Sequence, residues 1–121
     1  MSVVGSESKK HFNIKEVEEF REDAFTRVSL FDTGDLRFNM YCIIPGQENS
    51  LHKHPGSDEI LYFTQGTGEC VIGDETYQVK PGDVVLCPKD APHSIRNTGD
   101  SENMVCVLAQ APLPCEHVYV K

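Results

Sequence analysis

Residues 46–66, GQENSLHKHPGSDEILYFTQG, decide the fold. His52 and His54 stand two apart. On a strand that spacing points both imidazoles to one face. Two imidazoles side by side are costly without a shared cation, which makes them candidate metal ligands. Pro55-Gly56 then breaks the strand, and Glu59 opens the next run, where it returns to the same volume. Three ligand-type residues converge within eight positions.

A second segment, residues 82–97, reads GDVVLCPKDAPHSIRN. His93 opens a strand-like run after a Pro-rich loop and reaches the first group only if the sheet closes on itself. Around both segments, short runs rich in Val, Ile, Phe and Tyr alternate with turn residues such as Pro45-Gly46, Gly73-Asp74 and Pro81-Gly82. Gly supplies positive φ, Pro presets φ, and Asn and Asp tolerate the left-handed region. The pattern predicts strands near 26–32, 36–44, 50–54, 59–65, 68–73, 75–80, 83–87, 93–97, 103–109 and 116–120. About ten short strands in a chain of this size mean an all-β sandwich or barrel. The one helical signal is Asn13 followed by Glu16, a capping-box spacing that predicts a short turn over 13–20. Residues 1–12 read as a flexible lead-in and 13–121 as one barrel domain.

The two segments resemble the two cupin motifs. Gly46, His52, His54, Glu59 and Gly66 satisfy every position of the first, and Gly82, Pro88, His93 and Asn97 match the second. Asp90 stands where the second motif has Gly, a departure that Asp's tolerance of turn conformations makes small. The resemblance implies a double-stranded β-helix, a jelly-roll barrel with a metal in its mouth. His52, His54, Glu59 and His93 would be the ligands of one divalent ion. Three imidazoles and a carboxylate suit Fe or Mn, with two positions left open on a six-coordinate ion. Zn or Ni also fits such donors, and zinc with four protein ligands would close the site. Many relatives pair as homodimers, which would also cover an open sheet edge.

By parity, Leu61 and Phe63 follow Glu59 inward, and Ile95 and Asn97 follow His93. On 36–44, Phe38, Met40, Cys42 and Ile44 form one face, and Asn39, Tyr41 and Ile43 the other. Met104, Cys106 and Leu108 form a similar apolar set. Parity does not say which face of these strands lines the barrel. The candidate pocket residues are Met40, Cys42, Leu61, Phe63, Ile95 and Met104. Arg37 and Arg96 are the basic residues nearest the motifs, and both read as surface groups. His11 and His117 lie outside the motifs and read as ordinary surface or core residues.

The formal net charge of −8 disfavours nucleic acid and anionic membranes as partners. Five cysteines without a CxxC pair argue for a reducing compartment, and no apolar run or leader-type segment is evident, which gives a cytoplasmic expectation. The implied partner is a small organic molecule. Three functions follow in order: an Fe- or Mn-dependent, dioxygenase-like oxidoreductase; a non-oxidative isomerase, lyase or decarboxylase acting on a sugar acid or keto acid; and a non-catalytic ligand- or metal-binding module.

Overall fold

The computed structural model describes residues 10–121 and the backbone of residues 2–3. The expected lead-in over 1–12 falls mostly outside the described residues. In chain order the elements are β1 (Ser2–Val3), the one-turn helix α1 (Ile14–Val17), β2 (Thr26–Asp32), β3 (Arg37–Ile43), β4 (Glu48–Lys53), β5 (Asp58–Gln65), β6 (Gly68–Ile72), β7 (Glu75–Val79), β8 (Val84–Cys87), β9 (His93–Asn97), β10 (Met104–Ala111) and β11 (Val118–Tyr119). All ten expected strands are present, their ends within two residues of the expected ones.

The strands form two sheets, ordered β1-β2-β3-β10-β5-β8 and β11-β4-β9-β6-β7. All pairings are antiparallel except β1 with β2. One apolar cluster joins the two layers. The first sheet gives it Tyr41, Ile43, Leu61, Phe63, Cys87, Met104, Cys106 and Leu108; the second gives Cys70, Val79 and Ile95. This is the interior of an all-β jelly-roll barrel. Each large apolar side chain fully buried there contributes about 1.5–3 kcal/mol. No helix among the described residues is long and apolar enough to cross a membrane.

A second cluster lies on the other face of the first sheet. It holds Val28, Leu30, Met40, Cys42, Val105 and Val107, with Phe12, Ile14, Val17 and Phe20 packed against it. Helix α1 is shorter than expected for this reason. Asn13 caps it, its side chain accepting from the Lys15 amide, and Glu18 leaves helical geometry with ψ 139°. The segment then lays its apolar residues across the sheet. Strands β3 and β10 are therefore covered on both faces and lose the alternation of a half-exposed strand.

The motif residues outside the ligand set hold loops together. Gly66 has φ +76°, and a Cβ there would meet the Asn103 carbonyl oxygen at 2.4 Å, so both conformation and close approach demand glycine. Asp90 takes φ 68°, the left-handed conformation that glycine would supply. Its Oδ1 also accepts from the Gly56 amide at 3.1 Å, tying the two motif loops together. The buried Asn97 donates to the carbonyls of Ile43 and Glu102 and accepts from the Gly99 amide.

Candidate metal centre

His52 near the end of β4 pairs directly across from His93 at the start of β9. His54 lies just past the end of β4. Glu59 comes from the opposite sheet, on β5, where its neighbours in register are Cys87 and Gln110. The first motif thus straddles both layers, and closing the barrel brings its parts together. One ligand atom from each of His52, His54, Glu59 and His93 lies within 4.8 Å of the others. All four residues are at most 2% exposed. A buried ionisable quartet of this kind is unfavourable unless the donors share a partner.

The hydrogen bonds show which atoms are left over. Nδ1 of His52 donates to the Ser50 carbonyl at 2.7 Å, that of His54 to the Glu116 carbonyl at 2.6 Å, and that of His93 to the Ala91 carbonyl at 3.1 Å. Each bond places a proton on Nδ1 and turns Nε2 toward the shared point, so Nε2 is the nitrogen that would bind a metal. All three Nε2 atoms and Glu59 Oε2 are buried with no hydrogen-bond partner. His93 Nε2 and Glu59 Oε2 are only 2.7 Å apart and His54 Nε2 is 3.5 Å from the same oxygen, yet neither contact has hydrogen-bond geometry. The other carboxylate oxygen, Oε1, accepts from Gln110 Nε2 at 3.0 Å. Four orphaned donors aimed at one point fit a divalent cation.

Without a cation the electrostatics are strained. Burial alone would raise the Glu59 carboxyl, but His54 and His93 overcome it and hold it well below the usual carboxylate range. Burial would lower His54, but contacts with Cys115 and Glu59 outweigh that and raise it to about 10. Burial, followed by the neighbouring His93, lowers His52 to about 3. Without a cation, Glu59 therefore favours its carboxylate form and His54 its protonated form.

Several site residues carry no motif signal. His117, expected to be an ordinary residue, stacks on His52 with ring centroids 4.1 Å apart and planes 9° apart. The pairing of β11 with β4 brings it there. Burial, then the charge of Arg27, lowers its imidazole to about 4. Arg27 Nη2 lies 3.1 Å from His117 Nδ1. Gln110 holds Glu59 from β10. None of these has a fixed spacing from the ligands, and only the strand register places them.

Leu61, Phe63 and Ile95 point into the interior cluster, as strand parity predicted, and Met104 lies there with them. Met40 and Cys42 do not: they point away from Tyr41 and Ile43 into the second cluster beneath the N-terminal segment. Arg37 pairs with Asp32 at 3.7 Å, and Arg96 is exposed on the outer face of β9. A separate cleft between β7 and β8, lined by Ile72, Tyr77, Val84 and Leu86 among others, contains none of the four ligands.

The family model described as "Cupin domain" matches residues 39–109. Protein SchB of Streptomyces halstedii is 43% identical over 58 residues, 48% of this chain and 42% of that protein. A 5-nitrosalicylic acid 1,2-dioxygenase of a Bradyrhizobium species is 36% identical over 66 residues, 54% of this chain and 31% of that protein. The aligned stretches thus span less than half the length of these curated relatives. Among solved structures, a conserved protein with a double-stranded β-helix domain from Klebsiella pneumoniae superposes with TM-score 0.85 at 22% identity, covering 94% of this chain and all of that one. That likeness bears on the fold alone.

Proposed function

The chain belongs to the cupin family, and on that premise we propose that it is an Fe- or Mn-dependent enzyme of dioxygenase type acting on a small organic molecule. The observation that carries the proposal is the set of four buried, partnerless donor atoms within 4.8 Å, each imidazole held by its Nδ1 with Nε2 turned inward. The ligands would be His52, His54, Glu59 and His93. Three neutral imidazoles and one carboxylate would leave a divalent ion with a net charge of about +1. The chemistry a bound Fe²⁺ or Mn²⁺ would supply is activation of substrate and O₂.

The rest is the work of the chain's own residues. Backbone carbonyls of Ser50, Ala91 and Glu116 lock the ring orientations. Gln110 fixes one Glu59 oxygen and turns the other toward the histidines. The interior cluster beneath, with Leu61 and Phe63 beside Glu59, keeps water out. The dioxygenase relative supports the oxidative choice.

The test is turnover by protein reconstituted with Fe²⁺ or Mn²⁺, with and without O₂, on a panel of catechols, hydroxybenzoates, diketones and sugar acids. O₂ uptake coupled to substrate loss is the expected result. Equal turnover without O₂ would transfer the site to isomerase, lyase or decarboxylase chemistry, and failure to retain any metal would end the proposal.

A further inference from the structure

Beside the four ligands the fold places a cation that it does not neutralise. Arg27 lies on β2 directly opposite Tyr41 of β3, and Tyr41 belongs to the interior cluster, so Arg27 faces the metal centre's side of the sheet. The chain has 19 acidic residues against 11 basic ones. Yet among the described residues no carboxylate forms an ion pair with this guanidinium. Its neighbours are rings. The guanidinium carbon lies 5.4 Å from the centroid of Phe25 and 5.9 Å from that of Tyr41, while Nη2 is 3.1 Å and 3.4 Å from the two nitrogens of His117. Aromatic rings, the His117 imidazole among them, orient a planar cation without pairing it with an opposite charge. His117 in turn stacks on the ligand His52. One imidazole therefore separates the metal-binding face from an oriented, half-buried guanidinium that still has donors to give.

We propose that Arg27 is the receptor for a carboxylate of the substrate, so that the enzyme acts on organic acids. This assignment rests on the metal-centre proposal above, since the ion would hold another part of the same molecule. A carboxylate is the anion that one guanidinium fork satisfies with two parallel, charge-assisted hydrogen bonds. On a chain with a net charge of −8, the positive charge at Arg27 beside the centre sets the preference there. His117 acts as a positioning residue: its ring fills the space between Arg27 and His52 and fixes where the anionic end of the substrate lies.

The experiment is anaerobic calorimetry with the metal-loaded full chain, using protocatechuate and its uncharged amide as probes. Their diol is the same, and the amide lacks the charge and one of the two acceptor oxygens. Wild type should bind the carboxylate about tenfold or more tighter than the amide, the range for a hydrogen-bonded charge pair. Arg27→Gln should bring the carboxylate down to the amide's affinity and leave the amide and the metal content unchanged. Arg27→Lys should keep part of the preference. A preference that persists in Arg27→Gln, or no preference in wild type, overturns the assignment. Elemental analysis of the same samples separates the two failures. Wild type without metal sinks the metal centre, and this inference with it; full metal with a preference indifferent to Arg27 sinks only this inference.

Discussion

Metal-free protein should be most stable near pH 6.5 and lose stability on both sides, and the alkaline loss reports directly on the site. His54 is raised from about 6.5 to about 10 by folding. A base with a raised folded-state pKa stabilises fully below its unfolded pKa, and that contribution is lost as pH climbs through the folded value. Between pH 7 and pH 9 the folded chain holds about one proton more than the unfolded chain, so unfolding free energy should fall by about 2–3 kcal/mol. The same proton pairs His54 with Glu59, so the lowered Glu59 carboxyl is not counted again. On the acid side His52, lowered to about 3, must stay neutral in the fold. Its contribution is present above pH 6.5 and disappears as pH falls toward 3. Urea unfolding of chelator-treated protein across this range would trace both limbs. A metal ion must displace the His54 proton. Metal affinity should therefore rise about tenfold per pH unit between 7 and 9, with about one proton released per ion. Calorimetry in buffers of different ionisation enthalpy counts that proton. Stability that is flat from pH 7 to 9, together with metal binding that releases no proton, would refute the ion pair.

Replacing His52 or His54 with Ala should abolish stoichiometric metal, whereas His117→Ala should leave it intact, because His117 stacks on a ligand without joining the four donors; elemental analysis distinguishes these, and loss of metal in His117→Ala would mean the ligand set is wrong. Gln110→Leu removes the hydrogen bond to Glu59 Oε1 and should weaken metal binding about 10–100-fold in a competitive chelator titration; unchanged affinity would mean Glu59 orients itself. Gly66→Ala forces a Cβ to within 2.4 Å of the Asn103 carbonyl oxygen and should cost more than about 3 kcal/mol in denaturant unfolding. Gly56→Ala has the same φ of +76° with no atom within 4 Å, and should cost only about 1–2 kcal/mol; equal losses would show that backbone conformation, not the close approach, decides both.

Much of this molecule was legible before folding because the information is local. The His-x-His spacing, the Pro-Gly break and Glu59 sit within eight residues. Inward parity along β5 and β9 follows from the two-residue repeat of a strand, and Leu61, Phe63, Ile95 and Asn97 are all buried where that parity puts them. Asp90 could be read as a glycine substitute because its left-handed tolerance is intrinsic to the residue.

Parity fails where both faces of a strand are covered. Met40 and Tyr41 are both buried, one under the N-terminal segment and one in the barrel, so alternation along β3 carries no sign of which side is inside. Arg27, Gln110 and His117 belong to the site only through strand register: β2 against β3, β10 against β5, and β11 against β4. Covalent spacing determined the candidate ligands and the turns, since those depend on neighbours along the chain. Non-local pairing of strands decided what surrounds the ligands, because hydrogen-bonded register brings residues from opposite ends of the chain to one ring of atoms, and no pattern along the sequence records it.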